Sequence, residues 1–163
     1  MGTGKSEVGE KLAARLDRKF IDTDMLVEQE EGMSIAQIFT DKGEPYFRER
    51  EKRMVARACQ EGGVVIATGG GTMVNEENAA QLKASGTVIC ISAAPEVIFA
   101  RVRKDETRPL LQSDDPLARI RTLLSVRALA YAKADAMIDT SQLSVDEVVH
   151  SVLAILGKDQ ERI

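Results

Sequence analysis

A phosphate-binding turn followed at once by a helix is the first stretch of the chain that could do chemistry. Residues 2–6 have the sequence GTGKS, the second half of the pattern G-x-x-x-x-G-K-[ST]. Glycines let backbone N–H groups point at phosphate oxygens, while the lysine and the hydroxyl would reach phosphates and Mg²⁺. Apolar residues at helical spacing follow, so the anion would lie at a helix N-terminus. The turn predicts a nucleotide site on Lys5 and Ser6, with a glycine-rich cap of an ordinary helix as the alternative.

Two aspartates end the first strand-like segment. Asp22 and Asp24 follow the short run from Lys19, and alternate residues share a face if the strand continues. A carboxylate at the end of a strand can order a hydrated Mg²⁺ or accept the proton of an attacking hydroxyl. A pair of solvated turn aspartates is the alternative.

Three consecutive glycines, Gly69, Gly70 and Gly71, follow the apolar run GVVIAT at residues 63–68. Ordering three glycines on folding costs conformational entropy. Glycines at such a position usually allow the backbone to approach a ligand or another part of the chain closely. We interpret it as a ligand-binding turn, and a plain strand-to-helix turn is the alternative.

Three arginines could bind an anion. Arg48 lies in FRERE, Arg108 in RPLL, and Arg127 in a predicted helix. A planar guanidinium binds a carboxylate or a phosphate through two parallel hydrogen bonds. Most helical arginines are solvated surface charges, so none of the three is decisive alone.

Helical and strand-like segments alternate along the chain, which predicts an α/β sandwich with a largely parallel sheet. Residues 104–116 are polar and proline-punctuated and predict a loop, and residues 157–163 are expected to fray. The predicted strands are 19–22, 63–68, 87–92 and 136–138, and the predicted helices are 5–16, several within 25–60, 75–85, 95–103, 117–131 and one ending at 156.

Composition bounds the class of protein. The 163 residues suffice for one domain, and 44% hydrophobic and 29% charged residues are typical of globular chains. A net charge of −4 without a basic block argues against nucleic acid as a partner. The chain has no apolar run of membrane-spanning length and no visible signal peptide, so we expect no membrane and a cytoplasmic location. Cys59 and Cys90 suit reduced core residues, and a single histidine, His150, makes a zinc site improbable.

Taken in order, the motifs closely resemble those of shikimate kinase. They are GTGKS, FIDTD, GMSIAQIF with GExxFRxxE, ATGGG, RPLL and RxxxY, and together they span essentially the whole sequence. The resemblance implies a nucleoside monophosphate kinase-like P-loop protein, a three-layer α/β sandwich with a central parallel sheet. It also implies transfer of the ATP γ-phosphate to the 3-hydroxyl of shikimate, with Mg²⁺.

The resemblance implies a role for each site residue. Lys5, Asp24 and Arg108 would be catalytic, with Asp24 also binding substrate hydroxyls and taking the proton. Arg48 and Arg127 would clamp the substrate carboxylate, Glu51 would orient Arg48, and Gly70 and Gly71 would supply backbone to the ring. Ser6 and Asp22 would hold the metal, and the nucleotide would contact Gly2, Thr3, Gly4, Lys5, Ser6, Glu7, Arg101 on adenine and Arg108 from a lid.

A single kinase domain over residues 1–163 is expected, acting as a monomer, with residues 25–60 as the substrate-binding part and residues 104–116 as the lid. The full phosphate-loop pattern places its first glycine two positions before Met1, after a strand that is central in related folds. Such a strand has about five buried residues, and the free energy of burying them is comparable with the whole stability of a typical domain. We therefore expect these residues alone to form an unstable monomer or a poor ATP binder, unless the natural chain starts upstream or another strand fills the position. The alternatives are a gluconate-kinase-like enzyme and an inactive or truncated P-loop remnant.

Overall fold

The computed structural model describes residues 2–103 and 114–160. All four predicted strands form, with bounds within two residues of the prediction. The strands are β1 (Lys19–Asp22), β2 (Val64–Ala67), β3 (Ile89–Ser92) and β4 (Ala136–Asp139). The helices are α1 (Lys5–Leu16), α2 (Thr23–Glu31), α3 (Ile35–Asp41), α4 (Gly43–Gln60), α5 (Glu76–Ser85), α6 (Pro95–Val102), α7 (Pro116–Tyr131) and α8 (Val145–Gln160), with a 3₁₀ turn at Thr72–Val74.

The strands pair in parallel, as predicted, but as two separate pairs. β1 pairs with β2, placing Asp22 beside Ala67, and β3 pairs with β4, placing Ile89 beside Ala136. Within the described residues, β2 and β3 are not hydrogen-bonded to each other. A cleft of about 570 Å³ lies between them instead. We name it the inter-sheet cleft.

Apolar side chains line the inter-sheet cleft from both faces of the divided sheet. Val8 and Leu12 of α1 approach from one face, and Met73 and Leu82 from the other. The strands contribute their own side chains, including Val65. The cleft lies in the middle of the strand order, where the phosphate-loop pattern expects the strand that precedes the turn. The predicted central parallel sheet is therefore present as two halves, one on each side of that position.

Helices cover both faces of the strands and form separate apolar clusters. Helices α1 and α8 bury Val8, Leu12 and Val152 on one face. Helices α4, α5 and α7 bury Val55, Leu82 and further residues on the other. Helices α2 to α4 also have a cluster of their own, made of Val27, Ile38, Phe47 and Met54. None of the described helices is long and apolar enough to cross a membrane.

Two helix boundaries differ from the predictions by two or more residues. Helix α2 begins at Thr23, two residues before the predicted Met25, because the Asp22 carboxylate accepts the N–H groups of Asp24 and Met25 as an N-cap. β1 therefore ends at Asp22, and Asp24 lies in the first helical turn rather than on a continuing strand. Helix α8 continues to Gln160, so the predicted fraying does not begin at residue 157.

Candidate active site

The phosphate turn has the backbone shape that its sequence predicts. Gly2 and Gly4 have φ of 62° and 83°, in the left-handed region where glycine carries little steric cost. Gly4 is the N-cap of α1 and its carbonyl accepts the N–H of Val8 at 2.9 Å. With no side chain capping α1, the N–H groups of its first turn are oriented for an anion.

Ser6 and Asp22 meet beside this turn. The Ser6 hydroxyl donates to Asp22 Oδ2 at 2.6 Å, while Asp22 Oδ1 caps α2. Hydroxyl and carboxylate oxygens are the hard ligands that Mg²⁺ prefers. Among residues 2–103 and 114–157 no group of three or more His, Cys, Asp or Glu side chains could hold a metal. The pair therefore fits an ion that takes its other ligands from phosphate and water.

A second, polar cleft of about 620 Å³ extends from the phosphate turn. It brings together most of the predicted site residues from five separate parts of the chain. Thr3 instead lines the inter-sheet cleft. The predicted site residues that line the polar cleft are Gly2, Gly4, Lys5, Ser6, Glu7, Asp22, Asp24, Arg48, Glu51, Gly70, Gly71 and Arg127.

Arg101, a predicted nucleotide contact, is not among the residues that line the polar cleft. Arg101, near the end of α6, donates to the hydroxyl and carbonyl of Thr140 just after β4, at 3.2 and 3.0 Å. Helix α6 packs beside the phosphate turn, since a Cβ on Gly2 would lie 2.4 Å from Val102 Cγ1. Arg108 and most of the predicted lid, residues 104–113, fall outside the described residues.

Asp24 is the most perturbed carboxyl of the polar cleft. Burial, then the Asp22 and Glu51 carboxylates, raise its pKa from 3.8 to about 6, against the lowering effect of Lys5 and Arg48. Its Oδ1 is buried and has no hydrogen-bond partner within the part of the chain that the structure describes. A carboxylate with a pKa just below neutral is ionised at pH 7 and still basic enough to accept a proton.

Arg48 is held in place by carboxylates of its own helix. Its Nη1 donates to Glu51 Oε2 at 2.9 Å, and its Nη2 and Nε donate to Glu44 Oε1 at 2.8 and 3.1 Å. Glu51, 1% exposed, also accepts the Thr72 hydroxyl at 2.7 Å. The three- and four-residue spacings place these α4 side chains on one face. The guanidinium therefore enters the cleft with a fixed orientation.

Arg127 differs from Arg48 in having no carboxylate partner among the described residues. It lies on α7, is 7% exposed, and lines the polar cleft. Across residues 2–103 and 114–157, no Asp or Glu forms an ion pair with it. A buried cation without a partner is costly unless an anion joins it. The cleft is therefore prepared to receive an anionic ligand at Arg127.

The comparisons with known proteins agree with this geometry. The family model described as shikimate kinase matches residues 1–157. The chain belongs to the shikimate kinase family. Members of this family use ATP as a substrate, which implies that the chain binds a nucleotide.

Similar proteins support the family assignment in both sequence and structure. A shikimate kinase of Caldanaerobacter subterraneus is 48% identical over 153 residues, which cover 94% of this chain and 90% of the relative. A shikimate kinase from Acinetobacter baumannii in complex with shikimate has a TM-score of 0.94 and 34% identity, covering 98% of this chain and 89% of that one. A gluconokinase from Sinorhizobium meliloti has a TM-score of 0.62 at 18% identity, covering 99% and 90%, and shares the fold alone.

Sequence reasoning missed several partners in this shikimate kinase site. Glu44 and Thr72 hold Arg48 and Glu51, and Tyr131 donates to the Gly70 carbonyl at 2.6 Å. The four-residue spacing of Glu44 and Arg48 was a usable signal. The other contacts join residues far apart in sequence, where no local pattern indicates them.

Gly69→Ala is expected to damage both the stability and the activity of this shikimate kinase. A Cβ at this position would lie 2.8 Å from Asp24 Oδ1 and 2.8 Å from Glu51 Oε1, so two buried carboxylates would have to move. Overpacking of this kind costs about 1–3 kcal/mol, and we expect the Tm to fall by about 2–10 °C. Gly62→Ala is the matched control, because nothing lies within 4 Å of its Cβ. Equal Tm values for the two variants in thermal unfolding would contradict the prediction.

Proposed function

We propose that the chain transfers the γ-phosphoryl group of ATP to the 3-hydroxyl of shikimate, giving shikimate 3-phosphate and ADP, as a step of aromatic amino-acid biosynthesis. The observation that carries the proposal is one cleft joining a phosphate turn, a buried carboxylate and two guanidinium groups. Phosphoryl transfer depends on positioning and charge neutralisation more than on covalent help from the protein. The cleft supplies both.

The phosphate end of the cleft binds ATP. The first-turn N–H groups of α1 and the Lys5 ammonium neutralise phosphate oxygens. Ser6 and Asp22 would hold Mg²⁺, which when bound neutralises phosphate charge. Glu7 follows them on α1, and Arg101 on α6 is close enough to the turn to serve the base of the nucleotide. These residue roles are proposals supported by the geometry of the turn.

The other end of the cleft binds shikimate, an anionic acid with several hydroxyl groups. Arg127, a buried cation with no carboxylate partner in the part of the chain that the structure describes, binds the carboxylate, and Arg48 supplies a second guanidinium whose orientation Glu51 fixes. The backbone of Gly70 and Gly71 contacts the ring, because side chains there would crowd the cleft: a Cβ on Gly71 would lie 2.8 Å from Arg48 Nη1.

Asp24 receives the proton of the reacting hydroxyl. The 3-hydroxyl oxygen attacks the γ-phosphorus, the bond from phosphorus to the β–γ bridging oxygen breaks, and ADP leaves with the electron pair. The hydroxyl proton passes to the Asp24 carboxylate, whose Oδ1 has no hydrogen-bond partner among the described residues and can accept it. Lys5 stabilises the charge that develops on the phosphoryl oxygens.

The organisation of the chain follows from this reaction. We propose a single kinase domain in which residues 25–60 form the substrate-binding part, supported by the separate apolar cluster of α2 to α4. A monomer suffices, because the polar cleft is built from one chain. A cytoplasmic location, where ATP is made, suits the reaction. Catalysis by Arg108 from a lid at residues 104–116 remains a prediction.

A substrate panel tests the proposed function. The purified chain is incubated with ATP and Mg²⁺ and with shikimate, gluconate or no acceptor, while ADP release and ³¹P NMR of the product are followed. We expect ADP and one new phosphate monoester with shikimate only, and loss of turnover when EDTA removes Mg²⁺. Phosphorylation of gluconate would contradict the proposal. A folded chain that binds ATP without phosphorylating shikimate would contradict the proposal and indicate an inactive remnant.

A further inference from the structure

Tyr131 connects helix α7 to the glycine turn. Its hydroxyl donates to the Gly70 carbonyl oxygen at 2.6 Å, a short hydrogen bond between residues 61 positions apart. Tyr131 is the last residue of α7 and follows Arg127 by four positions, so both lie on the same face of the helix. We infer that Tyr131 is a positioning residue that orients the glycine turn toward shikimate, an inference that rests on the proposed function.

The geometry of the peptide bond gives this contact a direction. The Gly70 carbonyl and the Gly71 N–H belong to one peptide plane, and in a trans peptide they point opposite ways. Tyr131 lines the inter-sheet cleft, whereas Gly71 and Arg127 line the polar cleft. A carbonyl held toward Tyr131 therefore turns the Gly71 N–H away from the inter-sheet cleft, toward the side where the substrate binds.

The Gly71 N–H is available for a ligand. Among the described residues, no protein group accepts the N–H of Gly70 or Gly71. The N–H of the next residue, Thr72, donates to the Gly69 carbonyl at 3.2 Å. A backbone donor at the edge of a cleft needs a partner from water or from a ligand. Shikimate offers hydroxyl and carboxylate oxygens as acceptors.

The three glycines make the hydrogen bond from Tyr131 necessary for a single conformation of the turn. Three in succession can adopt backbone shapes closed to other residues, so the turn would sample several arrangements without an outside contact. Gly71 also lies against the Arg48 guanidinium. A turn that shifted would therefore clash with this guanidinium or lose contact with it. The Tyr131 hydroxyl thus fixes the turn relative to Arg127, and both shikimate-binding parts are carried by the same helix.

The substitution Tyr131→Phe removes the hydroxyl and keeps the ring. We expect the KM for shikimate and its Kd without nucleotide to rise about 3- to 10-fold, the usual worth of one hydrogen bond. The KM for ATP should change less than 2-fold, since the phosphate turn is untouched. In glycine-selective ¹⁵N spectra the Gly71 amide should shift, because its nitrogen shares the peptide plane with the released carbonyl.

Thr122→Val is the control, since it removes a hydroxyl from the same helix. The Thr122 hydroxyl is exposed and donates to the Ala118 carbonyl at 3.0 Å, away from the glycine turn, and shikimate binding should not change. If Tyr131→Phe lowers Tm and kcat without a selective rise in the shikimate KM, the role is structural and the inference is wrong. Unchanged shikimate binding in Tyr131→Phe overturns it equally. An unmutated chain that fails to phosphorylate shikimate would instead overturn the proposed function, and this inference with it.

Discussion

Asp24→Asn is expected to lower kcat with shikimate by about 100- to 10,000-fold, the range over which a positioned general base contributes. The amide has nearly the shape of the carboxylate but cannot take the hydroxyl proton. Nucleotide affinity should stay within about 2-fold, because the proposed metal and phosphate contacts are made by the phosphate turn and by the hydrogen-bonded pair of Ser6 and Asp22, not by Asp24. Steady-state kinetics and ATP titration of the same preparation measure both quantities, and a near-normal kcat would remove Asp24 from the centre of the reaction.

The same substitution should make the protein more stable at neutral pH. Burial raises the pKa of Asp24 from 3.8 to about 6, so the folded state binds this proton more tightly than the unfolded state. The stability gained from the proton is fully present below pH 4 and is lost as the pH rises through 6. At pH 7.5 the ionised carboxylate is therefore a cost, of at most about 3 kcal/mol, and the neutral amide removes it.

The pH dependence gives the control for Asp24→Asn. In the unmutated chain, kcat/KM for shikimate should rise with pH through about 6 as the carboxylate of the free enzyme ionises, whereas the residual activity of the variant should lack this rise. The variant should also have an equal or higher Tm at pH 7.5, which separates lost chemistry from lost folding. A Tm several degrees lower would show that Asp24 is a structural residue.

The sequence allowed the nucleotide end of the site to be predicted because its geometry is local. The turn at residues 2–6 needs only its glycines and the following helix, and the structure forms both as expected. The strand-to-helix turn at Asp22 was predicted less well, since the decisive contact is the N-cap that starts α2 two residues early. The local sequence pattern indicated that Asp22 and Asp24 are site residues, but it did not indicate which of the two ends the strand.

The contacts that align the substrate end could not be predicted in the same way. Thr72 reaches Glu51 across 21 positions and Tyr131 reaches Gly70 across 61, and such pairs exist only once the helices have packed. The family resemblance did imply contact between Arg48 and Glu51, which the structure forms at 2.9 Å. Sequence thus predicted most of the residues that line the polar cleft, while tertiary packing decided how each is held.

The division of the sheet was predictable from what the phosphate-loop pattern requires. That pattern calls for a strand immediately before the turn, and the structure has an apolar cleft between β2 and β3 at the position of that strand. Both edges of the cleft carry strand backbone that is unpaired on that side within the described residues. Such edges gain hydrogen bonds if an extended segment enters in parallel, and the apolar lining would cover its side chains.

Arg127→Ala should raise the KM for shikimate about 30- to 1,000-fold while changing the KM for ATP less than about 3-fold. The substitution removes the cation that pairs with the substrate carboxylate in a desolvated cleft. The expected loss of binding free energy matches that measured when one partner of such a charge pair is removed from a protein interface. Arg127 is 7% exposed and has no carboxylate partner among the described residues, so its charge is available to the ligand. Arg127→Lys should recover only part of the affinity, because an ammonium cannot reproduce the two-point grip.

Arg121→Ala provides the matched control for Arg127→Ala on the same helix. Arg121 pairs with Glu96 at 2.6 Å, but both side chains are 58% exposed, and pairs of this kind contribute little. Its removal should leave both KM values unchanged. If Arg127→Ala raised the KM values for shikimate and ATP equally, the residue would act on the whole cleft rather than on the substrate carboxylate. If it raised neither, the substrate acid would have to bind elsewhere, and the orientation of shikimate proposed here would be wrong.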